Sequence, residues 1–213
     1  MPNWCYTTYR FRGNKDELDV LHDKIVEWTS SSTMKTDFGD PWLGNIVIGA
    51  GFKDRIDNPD QDLNIRCRGT LADISDLSCD NHGNYSFDLW TETAWVPMAK
   101  MWDLVIETLA LKSVGFTFAA EECGCEIYWI YDPHNYGDFK DEEVYIDASG
   151  DNKVEEICGY YTKKTAIEIL NEFFGTSFDS LNDFEPLCEE YESEHEDSFI
   201  GIHEFEFDNE LQD

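Results

Sequence analysis

The sequence predicts an α+β protein: a split βαβ sandwich followed by an acidic α/β extension. Three observations carry this expectation. Strand-like and helix-like segments follow one another in the order β–α–β–β–α–β with an extra strand, the pattern changes beyond residue 158, and apolar side chains are numerous enough to build a core. Hydrophobic residues make up 41% of the 213 and aromatics 15%, so a fold is expected despite a formal net charge of −31.

The run from Trp4 to Phe11, Trp-Cys-Tyr-Thr-Thr-Tyr-Arg-Phe, is rich in aromatic and β-favouring residues and stops at Gly13, as a strand does. Asn14, three residues before Glu17, is a variant of the helix-capping box. Leu18, Leu21, Ile25 and Trp28 follow at helical spacing and predict an amphipathic helix over 15–29. Ser30-Ser31-Ser32-Thr33 ends it, and the stretch 30–63, with Pro41, Gly44, Gly49 and Gly51, reads as an irregular insertion before Ile65 to Leu71 regains strand character. Tyr85, Phe87, Leu89 and Thr91 alternate with polar neighbours in a half-buried strand. Pro97 then stands at a helix start, and Met101, Trp102, Val105, Ile106 and Leu109 line one helical face. Val114 to Ala119 and Glu126 to Tyr131 are strand-like runs around Glu121-Glu122-Cys123-Gly124-Cys125, a hairpin. In this order the elements describe a ferredoxin-like split βαβ sandwich over residues 1–150, an antiparallel sheet with helices on one face. Trp4, Leu21, Phe87, Trp102, Val105, Phe116 and Ile127 are its expected core.

Residues 151–213 make the extension, expected to pack on this domain through its phenylalanines. Thr162 caps a helix carrying Ala166, Ile167, Leu170, Phe173 and Phe174 and closed by Gly175. Phe184 to Tyr191 predicts a further helical stretch, and Phe199 to Phe207 alternates as a final strand.

Met1-Pro2-Asn3-Trp4-Cys5 opening a strand, and Phe87 with Thr93-Ala94-Trp95 and Pro97 opening a helix, resemble the YubB ferredoxin-like family of phages, plasmids and their hosts. The resemblance spans about residues 1–150. Of that family's strand motif N-W-G-T-K-W-D the chain keeps Gly69, Thr70 and Asp73, with Arg68 and Ala72 at the tryptophan positions and Leu71 at the lysine. The resemblance implies the fold and a mobile-element origin, and it lends no catalytic residue.

Candidate chemistry is sparse. Cys123-Gly124-Cys125 sets two thiols one residue apart at a hairpin tip, yet zinc sites use paired C-x₂₋₄-C or H-x₃₋₅-H elements and no second pair is present. Cys79, Asp80 and His82 lie close together without a further ligand motif. Asp147, Ser149 and Asp151 alternate as in a calcium loop, but Asn152 stands where that loop needs glycine and Cys158 where it needs glutamate. No glycine pattern matches a phosphate-binding loop. Five histidines and seven cysteines allow a Cys-His nucleophilic pair without any local signature of one. Tyr128-Trp129-Ile130-Tyr131 could stack bases on a sheet face, but the charge around it opposes nucleic acid, so these rings read as packing. No catalytic residue, metal or cofactor is expected. The odd, scattered cysteines and the lack of a signal-peptide pattern imply a reducing cytoplasm, and no apolar run is long enough to span a membrane.

Charge is the strongest functional signal. Residues 1–113 carry 11 Lys/Arg against 18 Asp/Glu, whereas residues 114–213 carry 4 against 28. Such a field repels nucleic acid and anionic membranes and attracts basic surfaces. Within it, Asp141, Glu142, Glu143, Glu155, Glu156, Glu185, Glu189, Glu190, Glu192, Glu194, Glu196 and Asp197 are the expected partner-binding residues, interleaved at the C-terminal end with aromatics that fix them on structure. The expected function is non-enzymatic: a DNA mimic from a phage or other mobile element that occupies the nucleic-acid-binding surface of a basic host defence protein, such as a CRISPR effector or restriction nuclease. The alternative is a small cytoplasmic enzyme or ligand-binding protein, with the aromatic sheet face or the 30–63 insertion lining a pocket.

Overall fold

The computed structural model describes residues 3–30, 37–60, 64–150 and 152–208, and of Cys125 and Asn152 the backbone alone. In chain order they form β1 (Trp4–Gly13), α1 (Lys15–Trp28), α2 (Gly44–Gly49), β2 (Gly69–Ile74), β3 (Ser78–Cys79), β4 (Tyr85–Ala94), α3 (Lys100–Thr108), β5 (Gly115–Glu122) and β6 (Ile127–Tyr131). There follow β7 (Val144–Ser149), α4 (Asn152–Glu155), β8 (Gly159–Tyr161), α5 (Lys163–Phe174), α6 (Glu185–Glu194), β9 (Phe199–Glu204) and β10 (Glu206–Asp208). The chain divides into two compact units, Gly137–Glu206 and the remainder. Among the described residues no helix is long and apolar enough to cross a membrane.

The first unit is a mixed α/β body on a large antiparallel sheet, ordered β10-β6-β5-β1-β4-β2, with β3 beside β4. β1 is central and pairs on both sides: Tyr9 stands opposite Leu89 and Phe118, and Phe11 opposite Phe87 and Phe116. Because side chains alternate along a strand, this register gathers the apolar residues of three strands on one face. There the rings interlock: Phe11 stacks on Phe87 at 5.0 Å, and Trp102 of α3 meets Phe11 edge-on at 5.1 Å and Tyr9 at 5.7 Å. Leu18, Leu21, Ile25 and Trp28 of α1 and Met101, Trp102 and Val105 of α3 complete the same core. On the opposite face, Arg10 forks onto Asp88 directly across from it, with both N–H···O distances 2.7 Å. A register slip of one residue would turn that pair into the apolar core and the rings out to solvent.

The start of α1 departs from the expected box. Asn14 Oδ1 accepts from Glu17 N at 2.9 Å, but the Glu17 carboxylate accepts from the N–H and hydroxyl of Ser113, at 2.8 and 2.9 Å, instead of reaching back to Asn14. Asn14 N donates to the same Ser113 hydroxyl at 3.0 Å, so one serine beyond α3 ties the helix start to β1's end. The bond from the Ser113 backbone N–H is the main reason the Glu17 carboxyl lies below its ordinary range.

Three further expectations need correction. Trp4 is 44% exposed and Ile127 is half-buried, so neither is core. In β1 both alternating sets contain aromatics, and the phase is decided by Tyr9 and Phe11, which places Trp4 and Tyr6 outside. The 30–63 insertion is not wholly irregular: α2 buries Ile46 and Val47, and Gly49 lies so close to the Trp28 indole that a Cβ there would come within 2.4 Å of the ring. Its residues 31–36 and 61–63 lie outside the described residues. The strand predicted from Ile65 begins at Gly69.

The second unit starts before β7, not at residue 151. β7 pairs antiparallel with β8 and β9 in a sheet of its own, β8-β7-β9. Val144, Ile146, Val154, Ala166, Leu170, Leu181, Phe184 and Ile200 form its core with Cys188. The predicted final strand breaks at Phe205, whose N–H donates to Glu143 O at 2.9 Å, and β10 lies at the edge of the larger sheet beside β6.

The face assignment has a direct consequence. Trp102→Ala is expected to cost about 3–5 kcal/mol, and Trp4→Ala, at a half-exposed strand position, under about 1 kcal/mol. Urea unfolding of the two variants checks it; similar costs would show that the sheet faces are assigned the wrong way round.

Candidate partner-binding surface

The second unit holds 21 Asp/Glu against 4 lysines and no arginine. Its helices are fixed by local chemistry that consumes few of those carboxylates. Thr162 Oγ1 accepts from Thr165 N at 3.2 Å to cap α5, and Glu143 Oε2 accepts from Lys163 N at 2.8 Å, placing a negative charge at the positive end of the helix. Gly175, at φ 68°, closes α5 in the left-handed conformation that glycine adopts without strain. Asn171 then latches the following loop, accepting from Phe178 N at 2.7 Å and donating to Phe178 O at 2.8 Å. Pro186 lies in the first turn of α6, and Phe184 and Cys188 are buried beneath it.

All twelve expected partner-binding residues fall in this unit. Asp141, Glu155, Glu156, Glu185, Glu189, Glu190, Glu194, Glu196 and Asp197 are exposed, whereas Glu142, Glu143 and Glu192 are half-buried. Glu143 caps α5, and Glu192 Oε1 accepts from Ile200 N at 2.9 Å, joining α6 to β9. Glu185, Glu189, Glu190, Glu192 and Glu194 all ride on α6, and Glu196 and Asp197 follow in the turn after it.

Glu185 gains from the positive end of the helix dipole, but the charges further along α6 oppose the helix. Glu185/Glu189 and Glu190/Glu194 are like-charge pairs at i,i+4, each costing about 0.2–0.5 kcal/mol. Glu194 sits at the negative end of the helix dipole, where no basic residue occupies the last turn, at a further cost of about 0.3–1 kcal/mol. Burial of Phe184 alone contributes about 1.5–3 kcal/mol, so packing outweighs the repulsion and holds the charges in place.

The remaining candidates resolve into structure. Cys123 is exposed on a 3₁₀ turn whose Gly124 N–H donates to Glu122 Oε1 at 2.9 Å; the Cys125 thiol lies outside the described residues. Among the described residues no group of three or more His, Cys, Asp or Glu is placed to hold a metal ion. Asp147 and Ser149 are positions of β7, so their backbone is a strand and not a loop that could wrap an ion; Asp151 lies outside the described residues. Burial pushes the thiols of Cys5 and Cys188 up to about 11 and that of Cys67 to about 12, which leaves them protonated and unreactive at neutral pH. Tyr131 stacks on Phe118 at 5.2 Å and Trp129 meets the same ring edge-on, so these aromatics pack on the sheet. Beside the insertion, Ile65, Val96, Pro97, Met98 and Met101 line a cleft of about 350 Å³.

Comparison with known protein families, with curated proteins and with solved structures finds no match.

Asp80, singled out with Cys79 and His82, belongs to the turn between β3 and β4. Its carboxylate accepts from the side chain and N–H of Asn84 and from His82 N, at 2.8–2.9 Å, and the Asn84 bonds above all hold its carboxyl down to about 2. A depressed value in the folded state means that this contribution is present above the ordinary aspartate value of about 3.9 and disappears as pH falls through 2. The amide resonances of His82 and Asn84, followed by NMR, should titrate with a midpoint near 2. A midpoint near 3.9 would show that the carboxylate does not hold the turn.

Proposed function

We propose that this protein is a non-enzymatic DNA mimic, whose second unit occupies the nucleic-acid-binding surface of a basic partner. One observation carries the reading: α6 displays its glutamates on an ordered helix against its own electrostatics. The ten residues of α6 rise about 15 Å at 1.5 Å per residue. The four exposed glutamates, Glu185, Glu189, Glu190 and Glu194, give about one carboxylate per 4 Å over that length, comparable with the roughly 3.4 Å per charge of one DNA strand. A solubility tail has no need of a helix to hold its charges, and its charges need no such spacing.

The first unit is read as a ferredoxin-like split βαβ scaffold enlarged by β6 and β10. The order β5-β1-β4-β2, with α1 and α3 in one core, supports this. Membership of the YubB-like family, and with it a phage or plasmid origin and a host defence protein as partner, is supported by the meeting of its motif residues at one end of the sheet. Trp4 stands opposite Ala94, and Trp95 N donates to Asn3 O at 3.0 Å.

Charge reversal separates recognition from folding. Glu189→Lys, Glu190→Lys and Glu194→Lys together should abolish capture of the basic partner from host lysate at low salt, since a rim of this kind sets encounter and register. The melting temperature should stay level or rise as repulsion is relieved. Duplex DNA should displace the wild-type protein from the captured partner. Capture that survives both the reversal and excess duplex DNA would overturn the mimic.

A further inference from the structure

Between α4, α5 and α6 the second unit has an open cleft of about 1250 Å³ with an aromatic floor and a charged rim. Phe173, Phe174 and Tyr191 form the floor: Phe173 and Phe174 meet at 4.9 Å and 87°, Phe173 and Tyr191 at 5.3 Å, and Phe174 and Tyr191 at 82°. The three rings are half-buried and keep some surface open to solvent, but one face of Tyr191 is covered by His195, which lines the same cleft and stacks on that ring at 4.0 Å. Glu156 and Glu172, both exposed, stand at the rim. The combination is chemically specific. Aromatic faces carry negative potential and favour a cation, the apolar floor favours an aliphatic stem, and carboxylates on the lining accept from N–H donors.

The chain itself shows which cation its rings accept. In the first unit Arg12, Arg55 and Arg68 lie over Tyr136, Phe52 and Trp95 with the guanidinium carbon 5.1–5.7 Å from the ring centre. The second unit contains no arginine, so a guanidinium on its rings comes from outside the unit. We propose that this cleft receives an arginine side chain of the basic partner, its stem on Phe173 and Phe174 and its guanidinium between the rings and the carboxylates of Glu156 and Glu172. This deepens the DNA-mimic reading and rests on it for the source of the arginine. The α6 carboxylates would substitute for phosphates, while the cleft anchors one residue in the manner of an interface hot spot.

The cleft can be tested without the partner, so its failure and that of the mimic are distinguishable. The intact protein is titrated at low salt with N-acetyl-arginine methylamide and, in parallel, with N-acetyl-citrulline methylamide, which has the same planar shape and no charge. NMR signals of the Phe173, Phe174 and Tyr191 rings report binding. The arginine derivative should shift those rings and bind at least about fivefold more tightly than the citrulline derivative, consistent with an exposed cation–π contact plus ion pairing. Glu156→Gln with Glu172→Gln should reduce it to the citrulline level, and Lys153→Gln, which removes a like charge from the lining, should tighten it. Glu190→Gln with Glu194→Gln should leave it unchanged. Equal binding of the two derivatives, shifts that spare the rings, or the same loss in the α6 variant would overturn the proposal.

Discussion

Self-repulsion among carboxylates is the constraint on which the second unit depends. Residues 137–206 carry 21 acidic side chains on a body whose core is one three-stranded sheet and three helices. Each added like charge costs only tenths of a kcal/mol at an exposed site, but α6 gathers several of them and has no cation in its last turn. What opposes the repulsion is local and short-ranged. Phe184 and Cys188 are buried beneath α6, Glu192 reaches Ile200 N, and Asn171 latches the loop that leads toward the helix. Glu143 and Glu192 sit where backbone N–H groups meet them, and Glu204 pairs with Lys163 at 2.6 Å.

The first unit solves a different problem. Its core is an aromatic lattice around β1, where Tyr9 and Phe11 touch rings from β4, β5 and α3 at once. Central position makes β1 the strand that sets the phase of the sheet. The Arg10–Asp88 pair is partly exposed and worth little as stability, yet it marks the solvent face and so reinforces the register. The Ser113 contacts with Asn14 and Glu17 close the body by joining segments far apart in the chain.

Local periodicity made much of this legible. The helices around Leu21, Trp102 and Leu170, the strand at Phe87 and the hairpin at Cys123 follow from spacing and capping, because each buries one face and ends on a recognisable residue. What could not be read locally depends on partners. Trp4 and Tyr9 belong to opposite faces of one strand, and only the register with Leu89 and Phe118 says which is inside. β7 lies within the span assigned by sequence to the first domain, and only its pairing with β8 and β9 places it in a separate sheet. The acidic residues were visible one by one, but that Glu143 and Glu192 serve backbone N–H groups is a fact of tertiary structure. The cleft is of the same kind: Phe173 and Phe174 read as helix-face residues, and Tyr191 joins them only through the packing of α6.

The second unit is held together against its own charge. Hydrogen exchange of the α6 amides at low and high salt tests this most directly. The screening length falls from about 30 Å at 0.01 M to about 3 Å at 1 M sodium chloride, so repulsion along the helix is present in the first condition and largely removed in the second. Protection of the α6 amides should increase with salt, and more than that of β1 and β4 in the first unit. Protection that is unchanged or reduced at high salt would contradict the account, because it would mean that the carboxylates impose no load on the fold that carries them.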